Sequence, residues 1–193
     1  MAAKIPSAKE DPYWDFFIKH APNDANNLLA ETIRMAPDGN IYSVQTEQHS
    51  PDITAANIKE LARFWGAAAT GIVRLEPGYP AEDGEPYPYA LVFAIQADYD
   101  AHDSPGVGGQ LPVLKAAYVS FEMGAYFREL GFRAARIGDE AADRIAAAAG
   151  LGALKPKGRL VSKSILPHVC LSDVLVTDLP LATDGAFTWP PTS

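Results

Sequence analysis

The sequence predicts an α+β fold, one mixed sheet flanked by helices. Three observations carry that expectation. Tyr89-Ala-Leu-Val-Phe-Ala-Ile95 is a nearly unbroken apolar run with β-branched and aromatic members, the mark of a strand covered on both faces. Ile58, Leu61, Ala62 and Trp65 recur at helical spacing, and a longer helical stretch ends at Leu130. Helix and strand signals then alternate along the chain with no internal repeat. The 193 residues suit one domain, and 48% hydrophobic against 21% charged residues is an ordinary globular balance.

Residues 1–50 read as an N-terminal arm and packing segment. Trp14, Phe16, Phe17 and Ile18 stand among charges, while Ala21–Asn27 and Ala36-Pro-Asp-Gly-Asn40 are rich in turn formers. The aromatics pack either across the body or a partner subunit as an arm, or on their own core as a local helix. A helix capped by Asp52 or Thr54 then runs to about Gly66. Gly71-Ile-Val-Arg-Leu75 is a short strand. Glu76–Pro88, with four prolines and four acidic residues, reads as an exposed loop.

Asp98–Gly109 reads as a polar connection. The long helix is expected from Leu111 or Leu114 to Leu130, where Gly131 stops it. Phe132–Ile137 is a strand or extended segment. Ala141–Ala149 is a helix whose alanines suit close packing on a sheet, and Gly150 closes it. Arg159–Val161 and Leu171–Val176 are the last strand candidates. Residues 51–184 thus form the core, and 185–193 an irregular tail.

Charge and cysteine content narrow the function. A net charge of −8 argues against nucleic acid and anionic membrane as partners, since both demand a surplus of Lys and Arg. Cys170 is the only cysteine, too few for an intrachain disulfide, an iron–sulfur cluster or a four-cysteine zinc site. With no signal-like or membrane-spanning apolar run, the expectation is a cytoplasmic protein.

Two clusters could carry chemistry. Asp98, Asp100, His102 and Asp103 are hard ligands, and alternation along an extended segment would put the even-numbered ones on one side; solvation of an acidic loop is the plainer reading. Lys155-Pro-Lys-Gly-Arg159 could hold a phosphate or carboxylate, or simply serve solubility. The four histidines lack ligand spacing, no Gly-x-Ser-x-Gly elbow is present, and Gly106-Val-Gly-Gly109 departs from the dinucleotide fingerprint.

Several stretches in register resemble reductive dehalogenases and epoxyqueuosine reductases. They are Ile58-Lys-Glu-Leu-Ala62 with Gly66, Gly71–Leu75, Phe127-Arg-Glu-Leu-Gly131, Ala149-Gly-Leu-Gly152 and Thr177-Asp-Leu-Pro-Leu181. The resemblance covers roughly residues 50–184 and implies a cobalamin-binding core with a nitroreductase-like fold. Family members follow the Thr-Asp-Leu-Pro-Leu segment with cysteine motifs for two 4Fe–4S clusters, whereas Cys170 stands alone here.

The resemblance therefore implies a corrinoid-binding protein or subunit without its own iron–sulfur cluster, working as a homodimer or with a redox partner. Lys155, Lys157 and Gly158 would meet the cofactor's polar rim, with His168 at the rim or at cobalt. The family's proton-donating tyrosine falls near Val113 beside Pro112, leaving Tyr118, further along the helix, as the catalytic candidate. The alternatives are a cofactor-free interaction subunit, because the catalytic positions are changed, and a flavin-dependent nitroreductase-like enzyme.

Overall fold

A computed structural model describes residues 25–76, 81, 84–96, 107–137, 141–154, 160–161 and 169–187. The apolar run becomes strand β2 (Tyr89–Gln96) at the centre of a five-stranded sheet. Around it lie β1 (Ala69–Leu75), β3 (Ala134–Arg136), β6 (Val169–Thr177) and β7 (Gly185–Phe187), in the order β3-β6-β2-β1-β7. All pairs are antiparallel except β1–β7, which is parallel. Two further strands, β4 (Ala153–Leu154) and β5 (Leu160–Val161), form a separate antiparallel pair.

Strand alternation divides the core into two layers. On one face Ile72, Leu91, Phe93, Ile95 and Leu175 meet helices α2 (Pro51–Phe64) and α3 (Val107–Glu129) through Ile58, Ala62, Val119, Met123 and Phe127. On the other, Val73, Val92, Val174 and Val176 meet Ile145 and Ala146 of helix α4 (Ala142–Ala148). The alanine-rich helix does lie close to the sheet. A Cβ on Gly71 would strike Ala149, and one on Gly185 would strike the Ala148 carbonyl. The first helix, α1 (Ala25–Met35), lies against α3 and buries Ala30.

Three helices end by the same device. At Gly66, Gly131 and Gly150 the chain takes a positive φ of 113°, 86° and 77°. In each case the glycine N–H and the next residue's N–H return to the last turn, as in Phe132 N to the Phe127 carbonyl at 3.0 Å. These are Schellman closures, and the apolar pair that accompanies them is Phe127 with Phe132 in the α3 case.

The structure revises several sequence boundaries. Ala25-Asn-Asn27, read as turn formers, begins α1. Helix α2 starts at Pro51 after Ser50, and Thr54 is instead buried with its hydroxyl donating to the His49 carbonyl at 3.2 Å. Helix α3 starts at Val107, ahead of the expected Leu111 or Leu114, and contains Pro112. In the stretch read as an exposed loop, Ala81 and Tyr87 are buried, Tyr87 lying under the Arg133 guanidinium at 4.9 Å from its ring centre. Gly185–Phe187, assigned to the irregular tail, forms β7. Asp184 anchors it: its N–H donates to the Ile72 carbonyl at 2.7 Å, and its carboxylate accepts the Ile72 N–H at 2.8 Å and Lys59 Nζ at 2.6 Å.

Trp14, Phe16, Phe17, the Asp98–Asp103 cluster, Lys155, Lys157, Gly158 and His168 lie outside the described residues. Among the described residues no group of His, Cys, Asp and Glu is arranged to hold a metal. No helix among them is long and apolar enough to cross a membrane.

Candidate functional site

Strand parity puts charge where an apolar side chain is the norm. Arg136 shares the α3-facing side of β3 with Ala134, and it pairs in register with Leu175 of β6. Two residues before Leu175, on the same face, stands Asp173, only 1% exposed. Arg136 Nη2 reaches its two carboxylate oxygens at 3.3 and 3.4 Å, and the Val174 N–H donates to it at 3.0 Å.

Burial raises the Asp173 pKa above the usual carboxylate value, opposed by the charges of Arg136 and Arg34 and by these hydrogen bonds. The folded state therefore holds this proton more tightly than the unfolded chain. Asp173 contributes stability that is fully present below the ordinary aspartate range and is lost as pH rises through the folded value. The melting temperature of the protein minus that of Asp173→Asn should accordingly fall as pH climbs from about 4. A difference that is flat or rises over that window contradicts the assignment.

Arg128 comes to the same place from the last turn of α3. Its side chain folds back beneath the helix, 5% exposed, because Gly124 leaves the space. A Cβ on Gly124 would lie 3.2 Å from Nη1 and 3.4 Å from Nη2. Nη1 points at the Ala134 carbonyl at 3.3 Å and at Asp38 Oδ1 at 3.4 Å. Burial pulls this guanidinium's pKa down while Asp38 and Tyr87 pull it up, and an arginine stays charged throughout. Both contacts exceed the common N–H···O range.

Between α1, α3 and the β3–β6 pair lies a partly open cleft, with Arg34, Asp38, Ser120, Arg128 and Arg136 as its polar wall. Its empty space is about 330 Å³ counting the open solvent at its mouth, so the enclosed part is much smaller. Arg34 Nε, Arg136 Nε and Ser120 Oγ are buried there without a hydrogen-bond partner.

Of the residues singled out from sequence, Tyr118 is on α3 but 43% exposed, and it is not part of this lining. Lys155, Lys157 and Gly158 fall in the sequence between β4 and β5, outside the described residues, and the Leu160 N–H donates to Asp143 at 3.1 Å. Sequence reasoning missed Arg34, Ser120, Arg128, Arg136 and Asp173. A signal existed for two of them: Arg136 and Asp173 interrupt the apolar parity of their strands.

The stretches that carried the resemblance have structural work in this fold. Phe127–Gly131 ends α3. Thr177–Leu181 closes β6 onto β3: Asp178 accepts the Arg133 N–H and Nε–H, both at 2.8 Å, and Thr177 donates to the Arg133 carbonyl at 2.8 Å. The Asp178 hydrogen bond is also the main reason that the Arg133 pKa is raised.

The fold defined by these features is an α+β core, one mixed five-stranded sheet between helical layers. It is reductive dehalogenase-like in sequence and in structure. No family model matches the chain. Tetrachloroethene reductive dehalogenase of Desulfitobacterium hafniense is 30% identical over 126 residues, 62% of this chain and 23% of the relative. That of Dehalobacter restrictus matches to the same extent, so the chain spans less than a quarter of the curated relatives it matches.

Among solved structures, the catabolic reductive dehalogenase NpRdhA superposes with a TM-score of 0.68 at 23% identity, covering 100% of this chain and 29% of that one. A reductive dehalogenase structure described for B12-dependent dehalogenation gives 0.68 at 24% identity, covering 100% of this chain and 28% of that one. NpRdhA in complex with 3-bromo-4-hydroxybenzoic acid gives 0.69 at 22% identity with the same coverage.

Proposed function

We propose that the chain is a corrinoid-binding protein or subunit related to reductive dehalogenases. The observation that supports this most is the reductive dehalogenase-like core, matched in sequence over 126 residues and in fold over 100% of the chain. The residues at hand suit the group chemically. Ala153 and Leu154, both exposed, are apolar and directly precede Lys155 and Lys157 in the sequence. A corrin offers the matching surfaces, flat apolar faces with an amide- and phosphate-bearing rim. The arginine cleft, by contrast, suits a small group and not a macrocycle.

In this reading Lys155 and Lys157 donate charge-assisted hydrogen bonds to the rim, Gly158 lets the backbone approach, and His168 presents a neutral imidazole nitrogen to the rim or to cobalt. When bound, cobalamin supplies the redox-active cobalt. Tyr118 offers a phenolic proton from the outer side of α3. A redox partner delivers electrons, since this chain with Cys170 alone carries no cluster of its own. Homodimerisation, a cytoplasmic setting and kinship to the nitroreductase fold complete the proposal.

The test is the visible spectrum of the protein after mixing with hydroxocobalamin, flavin mononucleotide or neither, followed by gel filtration. Co-elution of the corrinoid is expected. The double variant Lys155→Ala, Lys157→Ala should weaken binding by about 2–4 kcal/mol, since each lost charged hydrogen bond accounts for one to two of these. His168→Ala separates its two roles, because a changed cobalt band places it at the metal and an unchanged band with weaker binding places it at the rim.

Absence of corrinoid retention rejects the proposal and leaves an interaction subunit. That second reading is favoured by exposed apolar side chains on two helices, Leu28, Leu29 and Met35 of α1 and Phe64 of α2. Retention of flavin in place of corrinoid points to the third class.

A further inference from the structure

We propose that the cleft between α1, α3 and the β3–β6 pair is a binding site for one oxyanion, a carboxylate or phosphate group, received by Arg34, Arg136 and Ser120. This inference does not depend on corrinoid binding.

Its basis is an excess of buried donors over acceptors. Arg34 Nε, Arg136 Nε and Ser120 Oγ have no partner, although all three belong to the lining of the same cleft. Ser120 is 1% exposed, so bulk water does not compensate it. A buried polar group left unpaired costs its desolvation, and three such donors face one cavity. A single small acceptor with two or more oxygens satisfies them together.

Charge points the same way. Among the described residues, Arg34, Arg128 and Arg136 of the lining stand against Asp38 of the lining and Asp173, which pairs with Arg136: three positive charges to two negative. The contacts that do exist are long: Arg136 to Asp173 at 3.3 Å and Arg128 to Asp38 at 3.4 Å. A cation is thereby excluded, and an apolar guest would leave every donor unpaired. Water satisfies hydrogen bonds but leaves the charge. A carboxylate or phosphate does both, and planar guanidinium groups suit such oxygens geometrically. The open side of the cleft lets the remainder of a larger ligand extend into solvent.

The experiment is a titration of the protein with sodium phosphate, sodium acetate and sodium chloride at matched ionic strength, read by the 15N–H resonances of the arginine Nε groups. Saturable shifts of Arg34 and Arg136 with phosphate or acetate are expected, and the tighter of the two identifies the group. Arg34→Gln and Ser120→Ala should each weaken the response about tenfold or more, as loss of a hydrogen bond to a charged group implies. Ser120→Ala removes one hydroxyl only, and its unchanged backbone spectrum guards against misfolding as the cause. No saturable shift, equal affinity in both variants, or a chloride response as tight as that of the oxyanions overturns the proposal.

Discussion

Phe127→Ala is expected to destabilise the fold by about 3–5 kcal/mol, the usual cost of emptying a buried phenylalanine site. Phe127 is fully buried in the layer between α3 and the sheet, beside Met123, Phe93 and Leu175. It also belongs to the closure of α3, since its carbonyl accepts the Phe132 N–H at 3.0 Å and its ring shares a cluster with Phe132. Side-chain loss therefore empties the core and loosens the helix stop at once. Urea unfolding followed by circular dichroism gives the value. A loss below about 1.5 kcal/mol would mean that the site collapses around the alanine or that α3 is not seated as described.

Gly131→Ala should cost about 2–4 kcal/mol, combining a left-handed backbone with a collision. The φ of 86° disfavours any side chain, and a Cβ there would come within 2.8 Å of both Gln45 Cα and the Val44 carbonyl. Those neighbours are backbone and cannot turn aside as a side chain would. They are also held in place: the Tyr42 N–H donates to the Arg128 carbonyl and the Thr46 N–H to the Leu130 carbonyl, both at 2.9 Å. The substitution thus pushes the 42–46 segment off the end of α3. The check is a thermal melt with hydrogen exchange of the Tyr42 and Thr46 amides. Gly66→Ala is the control, because its φ is also positive at 113° but nothing lies within 4 Å of its added Cβ. Equal losses at the two glycines would show that the collision contributes nothing.

What was legible in the sequence follows from how each feature is encoded. Strand β2 was plain because a strand buried on both faces must be apolar at every position, and residues 90–95 are. The ends of α2, α3 and α4 were plain because only glycine accepts their closing conformation cheaply. The start of α3 was obscured by Gly108, Gly109 and Pro112, whose weak local preference is outweighed by the helix that follows. Strand β7 was hidden for a related reason: Gly185 and Ala186 have little strand preference, and the segment owes its conformation to pairing with β1. The arginine cleft depends on α1, α3, β3 and β6 meeting, and no spacing along the chain announces that. The exception is the break in parity at Arg136 and Asp173, which marks charged residues on a core-facing side.

The parallel pairing of β7 with β1 also sets the order in which the sheet can be completed. Asp184 lies 112 residues beyond its partner Ile72, so this contact closes one of the longest loops in the described fold. The β1–β2 pair, by comparison, joins neighbours in the sequence. During synthesis β1 therefore presents an unpaired edge until nearly all of the described chain has emerged. Contacts of such separation raise the contact order and slow folding, because loop-closure entropy precedes their reward. Lys59, extending from α2 to the Asp184 carboxylate, joins a helix made early to the strand that arrives last.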